Sequence, residues 1–289
     1  MTGTLEVVAP GPLATVQDLG RPGLAMWGVT ASGAADRRAL RLGNRLVGNP
    51  EGSAALEVTF GGARLRPDAD ALLALTGAPC PAAIDGSPVG HNAVLTLRGG
   101  QELRLGAPRS GLRTYVAVRG GLDVPAVLGS RATDVLAGLG PPVVKAGDRL
   151  PVGRPAGEPP GVDVAPVPDP PAGEVRLRVR LGPRDDWFAQ AAADALVTAA
   201  WTVSQQSNRV GLRLEGTPLE RAVSGELPSE GMVRGSLQVP PSGLPTLLLA
   251  DHPITGGYPV IAVVLDADVD GVGQVRPGQQ LRFVATAAG

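Results

Sequence analysis

The sequence predicts a mainly β protein with a few short helices. Glycine and proline are both abundant, at 41 and 29 of 289 residues, which favours short strands joined by tight turns over long helices. Residues 54–118 contain five short apolar runs separated by turn residues, and residues 175–181 alternate strictly between apolar side chains and arginine. Such close spacing is typical of a barrel or sandwich, and not of a parallel Rossmann sheet.

In the first half, a strand and a helix precede the group of five strands. Residues 5–9 form a short strand candidate, and Ser32 precedes a helix that Gly48 ends. The apolar residues of that helix share one face at helical spacing: Ala35, Ala39, Leu42 and Leu46. Residues 124–139 are predicted to hold a further short helix. The five strands are predicted at 56–60, 72–76, 93–97, 102–105 and 113–118.

A proline-rich segment divides the chain into two halves. Residues 153–173 lack apolar periodicity, which indicates a linker or an exposed loop. We therefore predict an N-terminal β-rich lobe with one helix over residues 1–152 and a C-terminal β-rich lobe over 174–289. In the second lobe, acidic residues after Pro183 open a helix that runs to Thr198. Its strands are predicted at 175–181, 201–204, 210–214, 247–250, 260–265 and 281–285.

Composition excludes several classes of protein. A net charge of −1 offers no electrostatic basis for binding nucleic acid or an anionic membrane. The single cysteine, Cys80, cannot form an intrachain disulfide, and we expect a small buried thiol in preference to a nucleophile. Residues 1–6 show no signal-peptide pattern, and no run of about eighteen apolar residues is present, so we expect a cytoplasmic protein.

Common catalytic motifs are absent from the sequence. With His91 and His252 as the only histidines and no GxSxG elbow, a Ser-His-Asp triad is not indicated. HExxH and CxxC spacings are missing, so no metal site is predicted. Neither a P-loop nor a strand–GxGxxG–helix unit is present, and the chain has no Met-Lys pair for biotin attachment.

Two polar, glycine-rich stretches, at residues 11–23 and 230–259, remain as candidate sites. They are either tight turns of a β protein or parts of one binding site. Glutamine and asparagine both donate and accept hydrogen bonds in one plane, and arginine grips a carboxylate or phosphate bidentately. Polar side chains of these kinds suit the binding of a small planar amide or ureide. The polar candidates, taken with those elsewhere in the chain, are Gln17, Asp18, Arg21, Ser32, Asp36, Asn44, Asn208, Arg209, Gln238, Thr255 and Tyr258.

These stretches resemble the biotin-dependent carboxyltransferase-like family, which includes the C subunit of 5-oxoprolinase, the allophanate hydrolase subunit 2 homologues and the Kip-inhibitor antagonist. The resemblance covers nearly the whole chain and implies a cyclophilin-like fold of β-barrel lobes with a few short helices. Position 254 departs from the family pattern, because Ile254 stands where the family usually has threonine. The motifs are Gln17-Asp18-Leu19-Gly20-Arg21, Ser32-Gly33-Ala34-Ala35-Asp36, Gly43-Asn44-Arg45-Leu46-Val47-Gly48-Asn49, Leu75-Thr76-Gly77-Ala78, Ser207-Asn208-Arg209-Val210-Gly211 and Asp251-His252-Pro253-Ile254-Thr255-Gly256-Gly257-Tyr258-Pro259.

The resemblance implies three functions. The first is the C subunit of an ATP-dependent 5-oxoprolinase, a hydrolase that opens 5-oxo-L-proline to L-glutamate with partner subunits and is inactive as an isolated chain. The second is the carboxyltransferase subunit of a urea carboxylase or allophanate hydrolase-type system, with biotin carried by a partner. The third is a regulatory protein that binds a Kip-inhibitor homologue. The implied partners are the 5-oxoprolinase B subunit, or another Kip-inhibitor-type protein, together with the A subunit. ATP is used in the assembled complex, and no cofactor is covalently bound to this chain.

Site roles follow from the same resemblance. We expect Asp18, Arg21, Arg209 and His252 to act in catalysis, the arginines on developing negative charge and the other two on protons, although His252 serves equally well as a packing residue. Arg209 is predicted to be an anion clamp in preference to a solvated turn residue. The loops around Gln17 and Gly256 are expected to converge. Substrate binding is assigned to Gln17, Ser32, Asp36, Asn44, Asn208, Gln238, Thr255, Gly256, Gly257 and Tyr258.

Overall fold

Strands provide most of the regular structure of this chain. The structure is a computed structural model and describes residues 3–158 and 160–286, so the outermost ends of the two predicted lobes, residues 1–2 and 287–289, lie outside the described residues. The prediction of a mainly β protein with a few short helices is confirmed. None of the described helices has the length and apolar character needed to cross a membrane. The α-helices are α1 Arg37–Leu46, α2 Gln190–Thr198 and α3 Asp266–Val272, with short 3-10 helices at Ala25–Trp27 and Asp185–Trp187.

The chain divides into two compact units. Unit 1 comprises Met1–Arg21 and Ser32–Pro170, and unit 2 comprises Pro22–Ala31 and Pro171–Gly289. The chain therefore leaves unit 1 directly after Arg21 and returns to it at Ser32. The separation into two lobes by a linker at 153–173 stays a prediction.

Unit 1 is built from two sheets. One has six strands in the order β11-β1-β4-β9-β6-β7, and the other has five in the order β2-β3-β10-β5-β8. Their facing sides enclose a core of valine, leucine and alanine, as the low aromatic content requires. The strands are β1 Thr4–Pro10, β2 Leu13–Gln17, β3 Ala55–Thr59, β4 Ala63–Pro67, β5 Ala71–Gly77, β6 Ala82–Ile84, β7 Ser87–Val89, β8 Val94–Leu97, β9 Leu103–Leu105, β10 Arg113–Val118 and β11 Arg149–Pro151.

Helix α1 packs on the five-stranded sheet of unit 1. Asp36 caps its N-terminus, with the Oδ1 atom accepting a hydrogen bond of 3.0 Å from the amide of Ala39. Gly48 takes a left-handed conformation (φ 69°) after the last turn, as the sequence predicts. Gly43 faces the sheet so closely that a Cβ atom there would lie 3.0 Å from the Cβ of Ala117. The loop before α1 bonds to side chains of β3 and β10 through the amides of Ala35 and Asp36.

Unit 2 is a closed barrel of seven strands. The order around the barrel is β12-β19-β16-β17-β14-β13-β20, and β12 and β20 close it as a parallel pair. Trp201 is fully buried in its core and donates a hydrogen bond of 3.1 Å from the indole nitrogen to the carbonyl of Leu196. A separate two-stranded ribbon pairs β15 with β18. The strands are β12 Val175–Leu181, β13 Trp201–Val203, β14 Gly211–Glu215, β15 Glu230–Gly231, β16 Ser236–Gln238, β17 Thr246–Leu248, β18 Thr255–Gly256, β19 Val260–Val264 and β20 Gln280–Ala285.

Two helix predictions differ from the structure. Residues 124–139 contain no helix and are held by the isolated pairings Val127–Ser130 and Asp134–Leu139, because glycines at positive φ break the segment repeatedly. The predicted helix after Pro183 is split in two. Its acidic residues lie in the 3-10 helix Asp185–Trp187, and α2 begins only at Gln190. The predicted strands all appear, with bounds that differ by a residue or two.

Candidate functional site

Gln17, the last residue of β2, carries a buried side-chain oxygen with no hydrogen-bond partner in the part of the chain that the structure describes. The side chain is fully buried. Its amide nitrogen donates to the carbonyl of Thr133 at 2.9 Å and to the hydroxyl of Thr15 at 3.0 Å. Its Oε1 atom accepts no hydrogen bond, and the hydroxyl of Thr133 is likewise buried without a partner. Buried polar atoms are nearly always satisfied, so this pair of atoms marks a place where water or a ligand belongs.

Asp18 organises the loop that follows Gln17. Its Oδ1 atom accepts hydrogen bonds from the hydroxyl of Ser130 at 2.6 Å and the amide of Gly20 at 2.7 Å. Its Oδ2 atom accepts one from the amide of Arg131 at 2.6 Å. The carboxylate thus ties residues 18–20 to residues 130–131. This geometry makes Asp18 a positioning group for the loop, and its role in proton transfer stays a prediction.

Arg21 is a buried cation without a carboxylate partner among the described residues. Its side chain is 2% exposed. The Nη2 atom donates to the carbonyl of Ala132 at 2.5 Å, and the Nε atom lies 3.4 Å from the carbonyl of Val127. The Nη1 atom is buried and has no acceptor. Burying a charge without an opposite charge is costly, which makes this guanidinium a candidate contact for an anion.

A groove of unit 1 is lined by residues that lie beside the Arg21 guanidinium. Its volume is about 380 Å³, and its lining includes Val127, Gly140 and Pro141. Gly140 has φ 82°, and a Cβ atom there would lie 3.2 Å from Nη2 of Arg21. Absence of a side chain at Gly140 thus leaves only backbone between the groove and the cation. A small ligand in this groove would lie close to Val127, whose carbonyl accepts from Arg21.

The turn at residues 32–36 lies against the same cluster. Ser32 is fully buried in a left-handed conformation (φ 50°), and its hydroxyl lies 3.4 Å from the carbonyl of Thr133. The amide of Ala34 donates to the carbonyl of Asp18 at 2.9 Å. Backbone strain of this kind at a non-glycine residue persists only when its surroundings impose it. Ser32 therefore belongs to the site region, whereas Asp36 serves as the N-cap of α1.

A buried network that the sequence reasoning missed holds this turn in place. Glu57, on β3, accepts hydrogen bonds at Oε2 from the amide of Ala35 at 3.0 Å and the hydroxyl of Tyr115 at 2.7 Å. The Tyr115 oxygen in turn accepts from the amide of Asp36 at 2.8 Å. Arg113 supplies the counter-charge, with Nε 3.3 Å from Oε1 of Glu57. Burial, with the charge of Glu57, raises the pKa of the Tyr115 phenol well above its usual value.

The sequence does contain a signal for this network. Glu57 interrupts an otherwise apolar strand, between Leu56 and Val58, and all three side chains are buried. A carboxylate on a strand that is buried on both faces needs a partner, which the chain supplies from β10.

Asn44 has a structural role in unit 1. Its amide nitrogen donates to the carbonyls of Ser53 at 2.8 Å and Glu51 at 3.1 Å, and its oxygen accepts from the amide group of Asn49 at 3.1 Å. The side chain is fully buried within α1 and the loop that follows. These contacts use both of its donors, so Asn44 closes the loop after the helix and offers no N–H group to a substrate.

In unit 2, the counterpart of Arg21 is Arg209, which has its own carboxylate. The guanidinium is 1% exposed and forms a bidentate ion pair with Asp251, with Nε 2.9 Å from Oδ2 and Nη2 3.1 Å from Oδ1. Asp251 is fully buried. Arg209 is therefore not a solvated turn residue. It joins the turn before β14 to the loop after β17, and its action as a clamp on a bound anion stays a prediction.

His252 follows Asp251 in the sequence and is also buried. The side chain is 7% exposed, and Nδ1 lies 2.8 Å from the carbonyl of Pro253. A ring nitrogen that donates to a carbonyl fixes the tautomer with Nδ1 protonated. Neighbouring Asn208 is exposed and accepts from the amide of Val210 at 2.8 Å, which makes it a turn-forming residue.

Gln238 and Gly256 form the most crowded point of the second loop. A Cβ atom at Gly256 would lie 2.4 Å from Nε2 of Gln238, so a larger residue there would displace the Gln238 amide group. The same nitrogen donates to the carbonyl of Tyr258 at 3.3 Å. Thr255, Gly257 and the Tyr258 side chain are exposed. The ribbon of β15 and β18 thus presents a hydroxyl, backbone amides and a phenol at the surface of unit 2.

The predicted site residues therefore fall into several groups. Gln17, Asp18, Arg21 and Ser32 gather around residues 130–133 of unit 1, Asp36 caps α1 and Asn44 lies on it. In unit 2, Arg209 joins Asp251 while Gln238 contacts Gly256, as given above. The expected convergence of the Gln17 and Gly256 loops stays a prediction. Residues 3–158 and 160–286 contain no cluster of three or more His, Cys, Asp or Glu side chains that could hold a metal ion.

Comparison with protein families places nearly the whole chain in one match. Residues 27–285 match the sequence model described as carboxyltransferase domain, subdomain A and B. The chain is 40% identical to the C subunit of 5-oxoprolinase from Escherichia coli, over 97% of its own length and 90% of that protein. It is 37% identical to the protein of the same name from Haemophilus influenzae, of which it covers 88%. It is 33% identical to urea amidolyase of Lachancea kluyveri, of which it covers 17%.

Two solved structures superpose on nearly the whole chain. TTHA0988 superposes with a TM-score of 0.88 at 36% identity, over 98% of this chain and 55% of that one. The urea carboxylase of Kluyveromyces lactis superposes with a TM-score of 0.90 at 30% identity, again over 98% of this chain but only 27% of that enzyme. The chain thus spans about half of the first structure and about a quarter of the second.

Proposed function

The chain belongs to the carboxyltransferase domain family, and from that premise we propose that it is the C subunit of an ATP-dependent 5-oxoprolinase. The assembled enzyme would hydrolyse the lactam of 5-oxo-L-proline to L-glutamate in the cytoplasm. The E. coli and H. influenzae relatives carry this name, and both are matched over about nine-tenths of their own length.

Arg21, without a carboxylate partner, carries the proposal at the level of the site. 5-oxoproline has one carboxylate, one lactam N–H donor and one lactam carbonyl. The buried guanidinium of Arg21, with an unsatisfied Nη1, suits the carboxylate, and the unsatisfied Oε1 of Gln17 suits the lactam N–H. Both side chains bond to adjacent carbonyls, those of Ala132 and Thr133, which supports a shared binding region for the two orphaned atoms.

The remaining predicted residues support this binding mode. The Asp18 carboxylate and the Glu57–Tyr115 network hold the loops at 18–20 and 32–36, which preorganises the groups that contact substrate. In unit 2, we propose that Thr255, the amides of Gly256 and Gly257 and the phenol of Tyr258 act on the substrate or on a partner protein, with His252 moving a proton.

ATP chemistry is assigned to the partner subunits in this proposal. The chain has no nucleotide-binding motif and no biotin attachment site, so the A subunit of the complex and its B subunit, of the Kip-inhibitor type, complete the enzyme. We expect the isolated chain to bind 5-oxoproline without turning it over. ATP-dependent turnover by the isolated chain would contradict this division of labour.

A second candidate is the carboxyltransferase subunit of a biotin-dependent urea carboxylase. The observation that favours it is the superposition on the K. lactis urea carboxylase, with a TM-score of 0.90 over 98% of the chain. Urea is neutral, and in this reaction the anion at Arg21 would be the carboxyl group delivered by a partner's biotin. A third, regulatory function needs only a Kip-inhibitor-type partner and no substrate.

Calorimetric titration separates these candidates. 5-oxoproline should bind the chain, whereas 2-pyrrolidinone, which lacks the carboxylate, and proline, which lacks the lactam carbonyl, should bind at least about tenfold more weakly, which is about 1.4 kcal/mol. Binding of urea in preference to 5-oxoproline would support the carboxylase.

In parallel, glutamate release is measured with the A and B partner subunits, in the presence and in the absence of this chain. Release that does not depend on the chain would refute the proposal, and a chain that binds only a partner protein would be regulatory.

A further inference from the structure

Unit 1 has a second groove that shares no lining residue with the groove beside Arg21. Its volume is about 640 Å³, and it is formed by residues of β4, β9, β6 and β7 and the loops that join them. Much of its wall is apolar and rigid, with prolines at positions 79, 81 and 88 beside Val89. The volume lies within the roughly 300–1,000 Å³ of sites that hold small organic molecules.

Two arginines lie opposite each other on neighbouring strands of the sheet that lines this groove. Arg64 on β4 and Arg104 on β9 are directly opposite in the antiparallel register, and both line the groove. Like charges in that arrangement repel each other unless an anion lies between them. Glu102 is that anion, with Oε1 2.9 Å from Nε of Arg64 and 2.6 Å from Nε of Arg104. It also accepts from Arg66 at 3.1 Å, so one carboxylate serves three cations.

The negative charge of Glu102 is therefore already paired with these three arginines. The hydrogen bond from Arg64 is the main reason that the pKa of Glu102 falls to about 2, and Arg104 lowers it further. The carboxylate is ionised at any ordinary pH and cannot neutralise another cation. The groove keeps a surplus of positive charge on its β4–β9 side.

Arg109 adds a third guanidinium to the groove. Its amide donates to the carbonyl of Pro79 at 2.9 Å, which fixes its backbone beside the apolar wall. Its side chain is exposed and has no hydrogen-bond or ion-pair partner in residues 3–158 and 160–286. Burial lowers the pKa of His91 and raises that of Cys80, so both wall residues are neutral at pH 7. Positive charge is thus confined to the three arginines.

We propose that this groove binds a small organic anion, a carboxylate or phosphate monoester carried on an apolar body. The anionic head group contacts Arg104 and Arg109, and the apolar body lies on the wall formed by Pro79, Pro81 and Pro88. A guanidinium pairs with either head group through two parallel hydrogen bonds, and the proline wall buries apolar surface without loss of side-chain freedom. This site is separate from the cluster at Gln17 and Arg21 and does not depend on the 5-oxoprolinase assignment.

Hexanoate is a suitable probe, with hexyl phosphate as the phosphate arm. Each is titrated into the full-length chain by calorimetry at constant ionic strength, beside hexanol, which lacks the charge, and acetate, which lacks the apolar body. Hexanoate or hexyl phosphate should bind saturably and at least about tenfold more tightly than both controls. The tighter of the two identifies the preferred head group. Equal binding of hexanol and hexanoate, or no saturable binding of either anion, would overturn the proposal.

Matched variants locate the site. Pro88→Glu places a negative charge in the groove and should weaken the probe about tenfold or more, whereas Ser87→Glu places the same charge at a residue of β7 that does not line the groove and should not. Arg109→Ala should weaken binding by a similar factor, and Arg154→Ala, at an exposed arginine outside the groove, should leave it unchanged. All four changes are at exposed residues, so circular dichroism should show folded protein. Equal losses within either pair would refute the location.

Discussion

Arg21 and Arg209 are both arginines with buried side chains in loops that the sequence marks as candidate sites, yet their surroundings are opposite. Arg209 is 1% exposed and holds Asp251 in a bidentate ion pair. Arg21 is 2% exposed and meets only the carbonyls of Val127 and Ala132, with one nitrogen left unsatisfied. The fold gives Arg209 a carboxylate partner and gives Arg21 none among the described residues.

Desolvation explains why the two differ in what they can do. A buried ion pair offsets the cost of removing both charges from water, so each partner is needed to keep the other. A buried cation that faces only neutral carbonyls keeps most of that cost until an anion arrives. An anion bound at Arg21 would therefore offset the cost of desolvating the cation, as Asp251 already does at Arg209. The first two of the following predictions test this contrast directly, and the other two test further buried or charged groups, in order of decreasing effect.

Breaking the buried pair should have the largest effect on stability. Arg209→Ala leaves the Asp251 carboxylate buried without its counter-charge and should lower the free energy of unfolding by about 3–5 kcal/mol. The double change Arg209→Met with Asp251→Leu should recover most of that loss, because it removes both charges and keeps the volume. Urea denaturation measures both. A loss below about 0.5 kcal/mol for Arg209→Ala, as for a surface residue, would show that the pair is not structural.

Removing the unpaired cation should affect function more than stability. Arg21→Met should reduce 5-oxoproline turnover in the assembled complex about 10²–10³-fold, as loss of one charge-stabilising donor does. Its unfolding free energy should change by less than about 1.5 kcal/mol, because relief of desolvation offsets the two lost hydrogen bonds. Arg21→Lys should restore activity only in part, since an ammonium lacks the bidentate fork. Normal turnover of Arg21→Met would remove Arg21 from the site.

The network behind the 32–36 turn should show an intermediate effect. Tyr115→Phe removes the hydroxyl that links Glu57 to the amide of Asp36, and it should lower the unfolding free energy by about 1–3 kcal/mol. The matched control is Tyr258→Phe, at an exposed phenol, with an expected change within about 0.5 kcal/mol. If both variants melt at the same temperature as the parent chain, the network does not hold the turn.

The exposed arginines around Glu102 should have the smallest effect on stability, and it should be visible only in acid. The pKa of Glu102 lies below its ordinary value because of Arg64 and Arg104, so the stability that the carboxylate contributes is present above pH 4.5. That contribution is lost as the pH falls from 4.5 through about 2. Glu102→Gln should flatten this part of the pH–stability curve. The same change at exposed Glu158 should leave the curve as it is, and identical curves for both would contradict the assignment.

Local sequence patterns were sufficient for the elements of the fold. Alternation of apolar residues and arginine predicted β12, and the helix α1 was predicted from its apolar face and from Gly48. Glycine at positive φ explains why residues 124–139 form an irregular segment despite apolar residues at helical spacing. Local propensity predicted most strands and helices, and it failed at 124–139 because the glycine breaks outweigh the apolar spacing.

The sequence by itself determined that the chain is mainly β, that it is rich in tight turns and that its polar groups concentrate in a few glycine-rich loops. Only the tertiary structure decided which buried polar groups are paired. Asp251 reaches Arg209 from 42 residues away and Tyr115 reaches Glu57 from 58 away, while Arg21 finds no carboxylate in the described chain. Partners at such separations are chosen by strand order and loop closure, and no local spacing encodes them. The distinction between a structural arginine and a ligand-ready one therefore exists only in the folded protein.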